Sequence, residues 1–346
     1  MHTAREEKPG VYKKRSSLVD GKHHVVLEGN MKFINSMDFP AEVMCCRYDN
    51  QGKLLALGLS NGIIKIYSTE SKSIVYSLHS TDENLPVTCV RWKPDSAIQS
   101  YGNFLLAVYA SGTVRQWHVS TSKCVHSHTE NVQMMACAFN NSGSNFVVGR
   151  SDGRINLYDT DTSTVVMVME PSMNSEIMDG HVMRVFAVQF NPEDKNVFVS
   201  GGWDDTIQWW DSREKGGYSI KKITGPHICG EGLDIQHGTL NMLAASWRKQ
   251  NNLQVFDFGT GKLIKEIPSD YNKSMLYCAQ WLGRESIVAG GSHANSMRYI
   301  DINSLQTIGS ALNLPGACYS LDHKTTHHPH VAVCASKTLY IVQDTM

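Results

Sequence analysis

The sequence predicts an all-β fold, a seven-bladed β-propeller closed by an N-terminal strand, and three observations lead there. First, the chain repeats itself. Seven short strands, most of them entered through a tight Gly/Asn/Asp turn, run out at Tyr67, Trp117, Tyr158, Trp210, Phe256, Ile300 and Val342. Successive anchors lie 41 to 52 residues apart, and periods of about 40–45 residues are those of four-stranded blades. Second, each period holds the same pieces: an alternating apolar strand (VTCVRW from Val87, VFAVQF from Val185), a run of small apolar residues, the anchor strand, and a weaker fourth strand such as SIVYSL. Third, no window carries the 3.6-residue apolar stripe of a helix, while Val, Ile, aromatic residues and turn formers dominate.

These pieces divide the chain into units at about 41–79, 86–128, 132–170, 180–224, 230–268, 274–310 and 316–346. The two longest periods are explained by insertions, PDSAIQSYG after Lys93 and the segment 171–184; such insertions are tolerated in loops on a repeated plan. The last unit ends after its third strand. The run HHVVLEG around Val25 and Val26 is apolar and β-like, so residues 23–27 are expected to supply the missing strand and close the ring, which removes two open edges. Residues 1–22 are polar and mildly basic with no apolar core, and read as a flexible tail rather than a signal peptide or anchor.

Composition narrows the function. The 346 residues carry 32 Lys+Arg against 33 Asp+Glu. A binder of nucleic acid needs clustered positive charge to displace counterions, and this balance gives none. No stretch approaches the length of a membrane span. Nine cysteines, an odd number without CxxC spacing, suit buried reduced thiols better than disulfides or zinc. The expected setting is therefore intracellular: cytoplasmic, with the nucleus or a cytoskeletal or ciliary assembly as alternatives.

The fourth unit has the most specific residues: Gly180-His181, then NPEDKNVFVSGGWDDTIQWWD. On these residues the chain resembles the WD40 repeat family over about residues 23–346. The resemblance implies a buried hydrogen-bond relay of His181, Ser200, Asp204 and Trp210; physically, a buried turn carboxylate must find donors or bear its desolvation. The other units lack the Gly-His pair, only Asp152 in the third keeps the turn acid, and those blades are expected to rely on packing.

Several motifs carry a chemical and a bland reading. GLSNG (58–62) and GRSDG (149–153) match G-x-S-x-G, but a nucleophile elbow leads from strand to helix. Here strand follows, so Ser60 and Ser151 are expected in blade turns. His327, His328 and His330 invite a metal site; alternate side chains diverge on a strand, so a solvated turn is the better reading and no metal or cofactor is expected. KKRSS (13–17) fits a kinase site, a nuclear signal or an ordinary basic tail.

Residues 198–213, FVSGGWDDTIQWWDSR, resemble the DWD box of WD40 proteins that dock onto the adaptor of cullin–RING ubiquitin ligases. The resemblance implies Asp211 and Arg213 as adaptor contacts on the narrower face; the alternative is that Arg213 simply pairs with Asp211. A second surface is the opposite rim, where the turns between second and third strands surround the channel. Tyr109, Arg150, Arg184, Trp203, Trp247, Arg248 and His293 are assigned to it. Trp, Tyr and Arg dominate binding hot spots, and Trp203 and Trp247 stand in polar turns where packing does not demand them. The expected function is a non-catalytic scaffold that binds proteins through this rim, without small-molecule substrate. The alternative is a ligase substrate receptor acting through the DWD-like box.

Overall fold

A computed structural model describes residues 15–20, 23–95, 103–172, 174, 177–271, 273–324 and 329–345. Seven antiparallel sheets form a closed ring. In each blade we letter the strands a to d from the channel outward. The a-strands are Val43–Tyr48, Val87–Trp92, Met134–Phe139, Val185–Phe190, Leu233–Ile235, Met275–Leu282 and Cys318–Lys324. Because consecutive strands alternate in direction, the turns between b and c, and the connections from d to the next a, share one face. We call it the upper face; the a–b turns lie on the lower one. The only helical turn among the described residues is Val119–Thr121, and no helix there is long and apolar enough to cross a membrane.

Strand alternation explains why neighbouring tryptophans are both buried. Trp209 and Trp210 point to opposite faces of the fourth sheet. Trp210 packs with Phe198 among Ala138, Val147 and Leu157 of blade 3, whereas Trp209 packs against Leu233, Met242 and Phe256 of blade 5. Each indole N–H donates to a buried acceptor, Trp210 to Ser200 Oγ at 2.7 Å and Trp209 to the Phe258 carbonyl at 3.0 Å. The core is thus a series of apolar layers between blades, each shared by two sheets.

The N-terminal region corrects the expected closure. The strand that completes blade 7 is Met31–Asp38, antiparallel to Thr338–Asp344 from Met31↔Asp344 to Asp38↔Thr338. His23–Gly29 instead adds to the outer edge of blade 6, with Val26 opposite Leu312 and Gly29 opposite Gly309. Arg15–Asp20 folds back on it as a further strand, making blade 6 six-stranded. The physical reason is that two edges compete for two adjacent strands. Val25 and Leu27 bury in the apolar layer between blades 6 and 7 with Tyr299 and Leu321, and Met31 of the following strand enters the same layer. Residues 15–20, expected in a flexible tail, therefore lie in a sheet; residues 1–14, with Lys13 and Lys14 of the basic run, fall outside the described residues.

Candidate aromatic site on the upper face

The beginning of the a-strands shapes this face. In blades 1, 2, 3, 4, 6 and 7 the a–b register slips by one residue at the second or third position of strand a. Such bulges re-aim a side chain out of the ladder. The residues so displaced are Met44, Thr88, Met135, Phe186, Tyr277 and Tyr319. In blades 4, 6 and 7 they are aromatic, and they join rings from neighbouring turns into one arc. Phe186 lies 5.2 Å from Trp203, Trp203 6.3 Å from His227, and His227 6.4 Å from Trp247. The arc continues through Tyr277 at 6.2 Å to Tyr319 at 5.2 Å, all as ring-centroid distances. It crosses blades 4 to 7, and all six rings are part-exposed or half-buried.

Hydrogen bonds fix the ring planes. Trp203 Nε1 donates to Cys229 Sγ at 2.8 Å and Trp247 Nε1 to Ser292 Oγ at 3.3 Å. Burial pushes the Cys229 thiol up to about 11, so the indole meets a neutral thiol. The Arg184 guanidinium sits 5.0 Å over Trp203. Asp205 takes His227 Nδ1 at 2.6 Å and Arg248 Nη2 at 2.9 Å. Burial also raises the Tyr277 hydroxyl, which leaves it protonated and able to donate.

Of the seven rim residues expected from sequence, Arg184, Trp203, Trp247 and Arg248 come together on this arc, and exposed His293 adjoins it through Ser292 at 3.4 Å. Tyr109 and Arg150 do not belong to it. Tyr109 is fully buried, and its hydroxyl accepts Trp117 Nε1 at 3.3 Å. Arg150 is 9% exposed and clamped by Glu130 at 2.7 Å and Asp152 at 2.8 Å. Register explains both departures. Tyr109, Arg150 and Gly202 occupy the same position, four residues beyond the partner of the anchor. In blade 4 the glycine leaves room for His181; a Cβ there would lie 2.5 Å from the Arg184 carbonyl. In blades 2 and 3, where no histidine fills that space, the larger side chain turns inward and fills it.

The relay residues meet in blade 4. His181 Nδ1 is 2.8 Å from Asp204 Oδ2 and its Nε2 2.6 Å from Ser200 Oγ, which also accepts Trp210. Burial alone would raise the Asp204 carboxyl, but the His181 and Thr206 hydrogen bonds outweigh it and hold it below its ordinary value. Blade 3 does not depend on packing alone: Glu130 accepts from Arg150 and, at 2.9 Å, from Asn156 Nδ2, an ionic substitute for the histidine relay. On the lower face Arg213 is held by Asp211 (Nε–Oδ1 2.8 Å, Nη2–Oδ2 2.6 Å) and by Asp194 at 3.1 Å. That guanidinium edge is already occupied, although the side chain is 58% exposed.

The other motifs fall in turns. Ser60 and Ser151 follow b-strands and precede c-strands. His330 starts a strand, and His327 and His328 lie outside the described residues. Among the described residues no group of three or more His, Cys, Asp or Glu could hold a metal ion.

Sequence reasoning also missed Glu231. Between Gly230 and Gly232, ahead of the short a-strand of blade 5, it reaches across the channel to Arg91 (2.5 Å) and Arg47 (3.4 Å) and accepts from Ser320 Oγ at 2.9 Å. A Cβ at Gly232 would meet the Ala245 carbonyl at 2.5 Å, so only glycine lets the backbone run this close. Burial would raise the Glu231 carboxyl, yet the two guanidiniums overcome that and hold it at about 2. The available signal was an acid flanked by glycines before a strand. For Phe186, Tyr277 and Tyr319 it was an aromatic one place after the first apolar residue of each a-strand (VFAV, LYCA, CYSL).

A ring of seven repeated four-stranded units, with the His–Ser–Trp relay in one of them, defines a repeat β-propeller. Comparison with known proteins agrees with this architecture. The chain matches the "WD domain, G-beta repeat" family over residues 120–159 and 174–211, and the "Anaphase-promoting complex subunit 4 WD40 domain" over 31–95. The repeats matched, together with the seven four-stranded blades, are of the WD40 type. Similar proteins include the angio-associated migratory cell protein of Homo sapiens, 24% identical over 64% of this chain and 50% of its own length. Ribosome biogenesis protein YTM1 of Scheffersomyces stipitis is 25% identical over 44% of this chain and 30% of that protein. U3 small nucleolar RNA-associated protein 12 of Saccharomyces cerevisiae is 26% identical over 32% and 10% respectively. The chain thus aligns with half or less of each of these relatives.

Proposed function

We propose that this propeller is a non-catalytic scaffold that holds a protein partner against the aromatic arc of its upper face, within a multiprotein complex. The observation that carries this reading is the continuous arc from Phe186 to Tyr319, fixed by hydrogen bonds to Cys229, Ser292 and Asp205. Pre-ordered aromatic side chains lose little entropy on binding and bury large area. Arg184 and Arg248 add directed donors at its edge. Names such as ribosome biogenesis protein among the relatives support work in an assembly rather than alone. Proteins rather than RNA come first in this reading because the chain carries almost no net charge. The nucleus is the compartment it favours, since one relative is named for association with a small nucleolar RNA; the cytoplasmic expectation has no support among those names.

The test is affinity purification with quantitative mass spectrometry of wild type, Trp203→Ala/Trp247→Ala and Arg213→Ala. The expected result is a coherent set of proteins lost with the double variant and retained with Arg213→Ala. Retention of every partner by a folded double variant would overturn the arc as the docking surface. The ligase-receptor alternative calls for the opposite pattern, an adaptor recovered with wild type and lost only with Arg213→Ala. It is the weaker reading because Asp211 and Asp194 already hold that guanidinium. A fluorescent fusion confined to the cytoplasm would count against the nuclear assignment.

A further inference from the structure

The lower mouth of the channel holds a second candidate site, separate from the arc and made by other parts of the same blades. Where the a-strands of blades 3 to 7 end, a cavity of about 520 Å³ opens. Phe139, Phe190 and Trp281 line it together with the amides of Gln189 and Gln236 and the carboxylate of Asp234. That volume suits one ligand of drug size or a single long side chain with its adjoining backbone.

Charge along the channel singles out Asp234. Above the cavity Arg91 pairs with Glu231, and Arg47 pairs with both Glu231 and Asp322. Two guanidiniums thus meet two carboxylates, and the central network is balanced. Asp234 is the third carboxylate, and among the described residues no lysine or arginine lies within ion-pairing distance of it. Among the described residues its oxygens accept only backbone N–H groups, from Ile235 at 2.9 Å and Trp281 at 2.8 Å, which leaves acceptor capacity on each. The other titratable groups of the wall are His323, whose Nδ1 is 3.0 Å from Gln280 Oε1, and exposed His237 and Arg284. Burial pushes the Asp234 carboxyl above its ordinary value, against weaker opposing pulls from the Trp281 N–H, His323 and Arg47. A desolvated carboxylate without a cation gains most from one that arrives with a counter-charge.

We propose that this cavity binds an organic monocation, an amine or guanidinium, with its charge on Asp234 and its body against Phe139, Phe190 and Trp281. Ring faces favour such a cation over a neutral group of the same shape. Arg284 at the rim opposes entry and sets an upper limit on affinity. The cation is either a basic side chain of a peptide or a free small amine.

Three probes distinguish these sources on the full chain: butylguanidine, an acetylated Gly-Arg-Gly amide, and the same tripeptide with citrulline for arginine. Binding is read from the Trp281 indole resonance in ¹⁵N-labelled protein and by calorimetry. The expected result is saturable binding of a cationic probe, with the citrulline peptide at least about tenfold weaker. Asp234→Asn should remove that preference and Arg284→Glu, an exposed change, should strengthen cation binding. Butylguanidine binding tighter than the tripeptide points to a free small cation, and the reverse to a peptide side chain. Equal binding of arginine and citrulline peptides, or no response to either cation at about 10 mM, would overturn the proposal. If Asp234→Asn does not fold, the citrulline comparison and Arg284→Glu decide it. Trp203→Ala/Trp247→Ala should leave this binding unchanged, so failure of one site is not failure of the other.

Discussion

At Glu231 a single carboxylate ties blade 5 to blades 1, 2 and 7 through Arg47, Arg91 and Ser320. Its pKa is lowered in the fold, from about 4.5 to about 2, so the folded state binds fewer protons than the unfolded chain between these values. The stability it contributes is therefore complete above about pH 4.5 and is lost as pH falls toward about 2. Glu231→Gln leaves two buried guanidiniums with only Asp322 between them and should cost about 3–5 kcal/mol at neutral pH. Its denaturant midpoint should vary less with pH across that acidic window than the wild type's; equal slopes would show that the network is not what titrates. At the relay, His181→Ala strands Asp204 and Ser200 in a buried space and should cost about 1–3 kcal/mol. An unchanged melting temperature would remove the relay from the list of stabilising features. Gly202→Ala should also destabilise, by about 1–3 kcal/mol, because its Cβ falls 2.5 Å from the Arg184 carbonyl.

Two strands near the N-terminus divide the work of closing the ring. Met31–Asp38 completes blade 7, and His23–Gly29 lengthens blade 6. The prediction at this scale is asymmetric. A chain beginning at Asn30 keeps the closing strand and should fold cooperatively with a modestly lower melting temperature. One beginning at Phe39 leaves the edge of Thr338–Asp344 open and should aggregate or lose its single transition. Size-exclusion chromatography and thermal unfolding of the two truncations separate these outcomes; equal behaviour would mean that ring closure does not depend on Met31–Asp38. Bulges act at the same scale. One slipped residue turns Phe186, Tyr277 and Tyr319 out of the ladder, and so three separate a-strands contribute to one arc.

For the molecule as a whole, the channel separates the two proposed sites. Above the Glu231 crossing lies an aromatic surface suited to a partner segment; below it lies a smaller cavity with one unbalanced carboxylate. Because the crossing pairs two guanidiniums with two carboxylates, little net charge lies between the mouths, and the one link across it is the weak pull of Arg47 on Asp234. Occupation of the lower cavity should leave affinity at the arc within about twofold, a change of under about 0.5 kcal/mol. Titrating a partner recovered through the arc, with and without saturating cation, measures this; coupling larger than about tenfold would mean that the network relays binding.

Much of this was legible from the chain alone. Seven anchors at regular spacing, alternating apolar strands and Gly/Asn/Asp turns define a propeller, because strand period and repeat length are local properties of sequence. The relay in blade 4 was legible for the same reason, since its four residue types recur at family spacing. Tyr109 and Arg150 were misplaced because the direction of a side chain at the end of a strand depends on the space beside it, which belongs to the neighbouring connection. The closing strand was misplaced because HHVVLEG and MKFINSMD compete for two edges far away in sequence, and the apolar pockets on those edges choose between them. Glu231 and Asp234 could be read as ordinary acids near a strand. Only the closed ring brings them to the axis, where burial and distant arginines give each its charge environment.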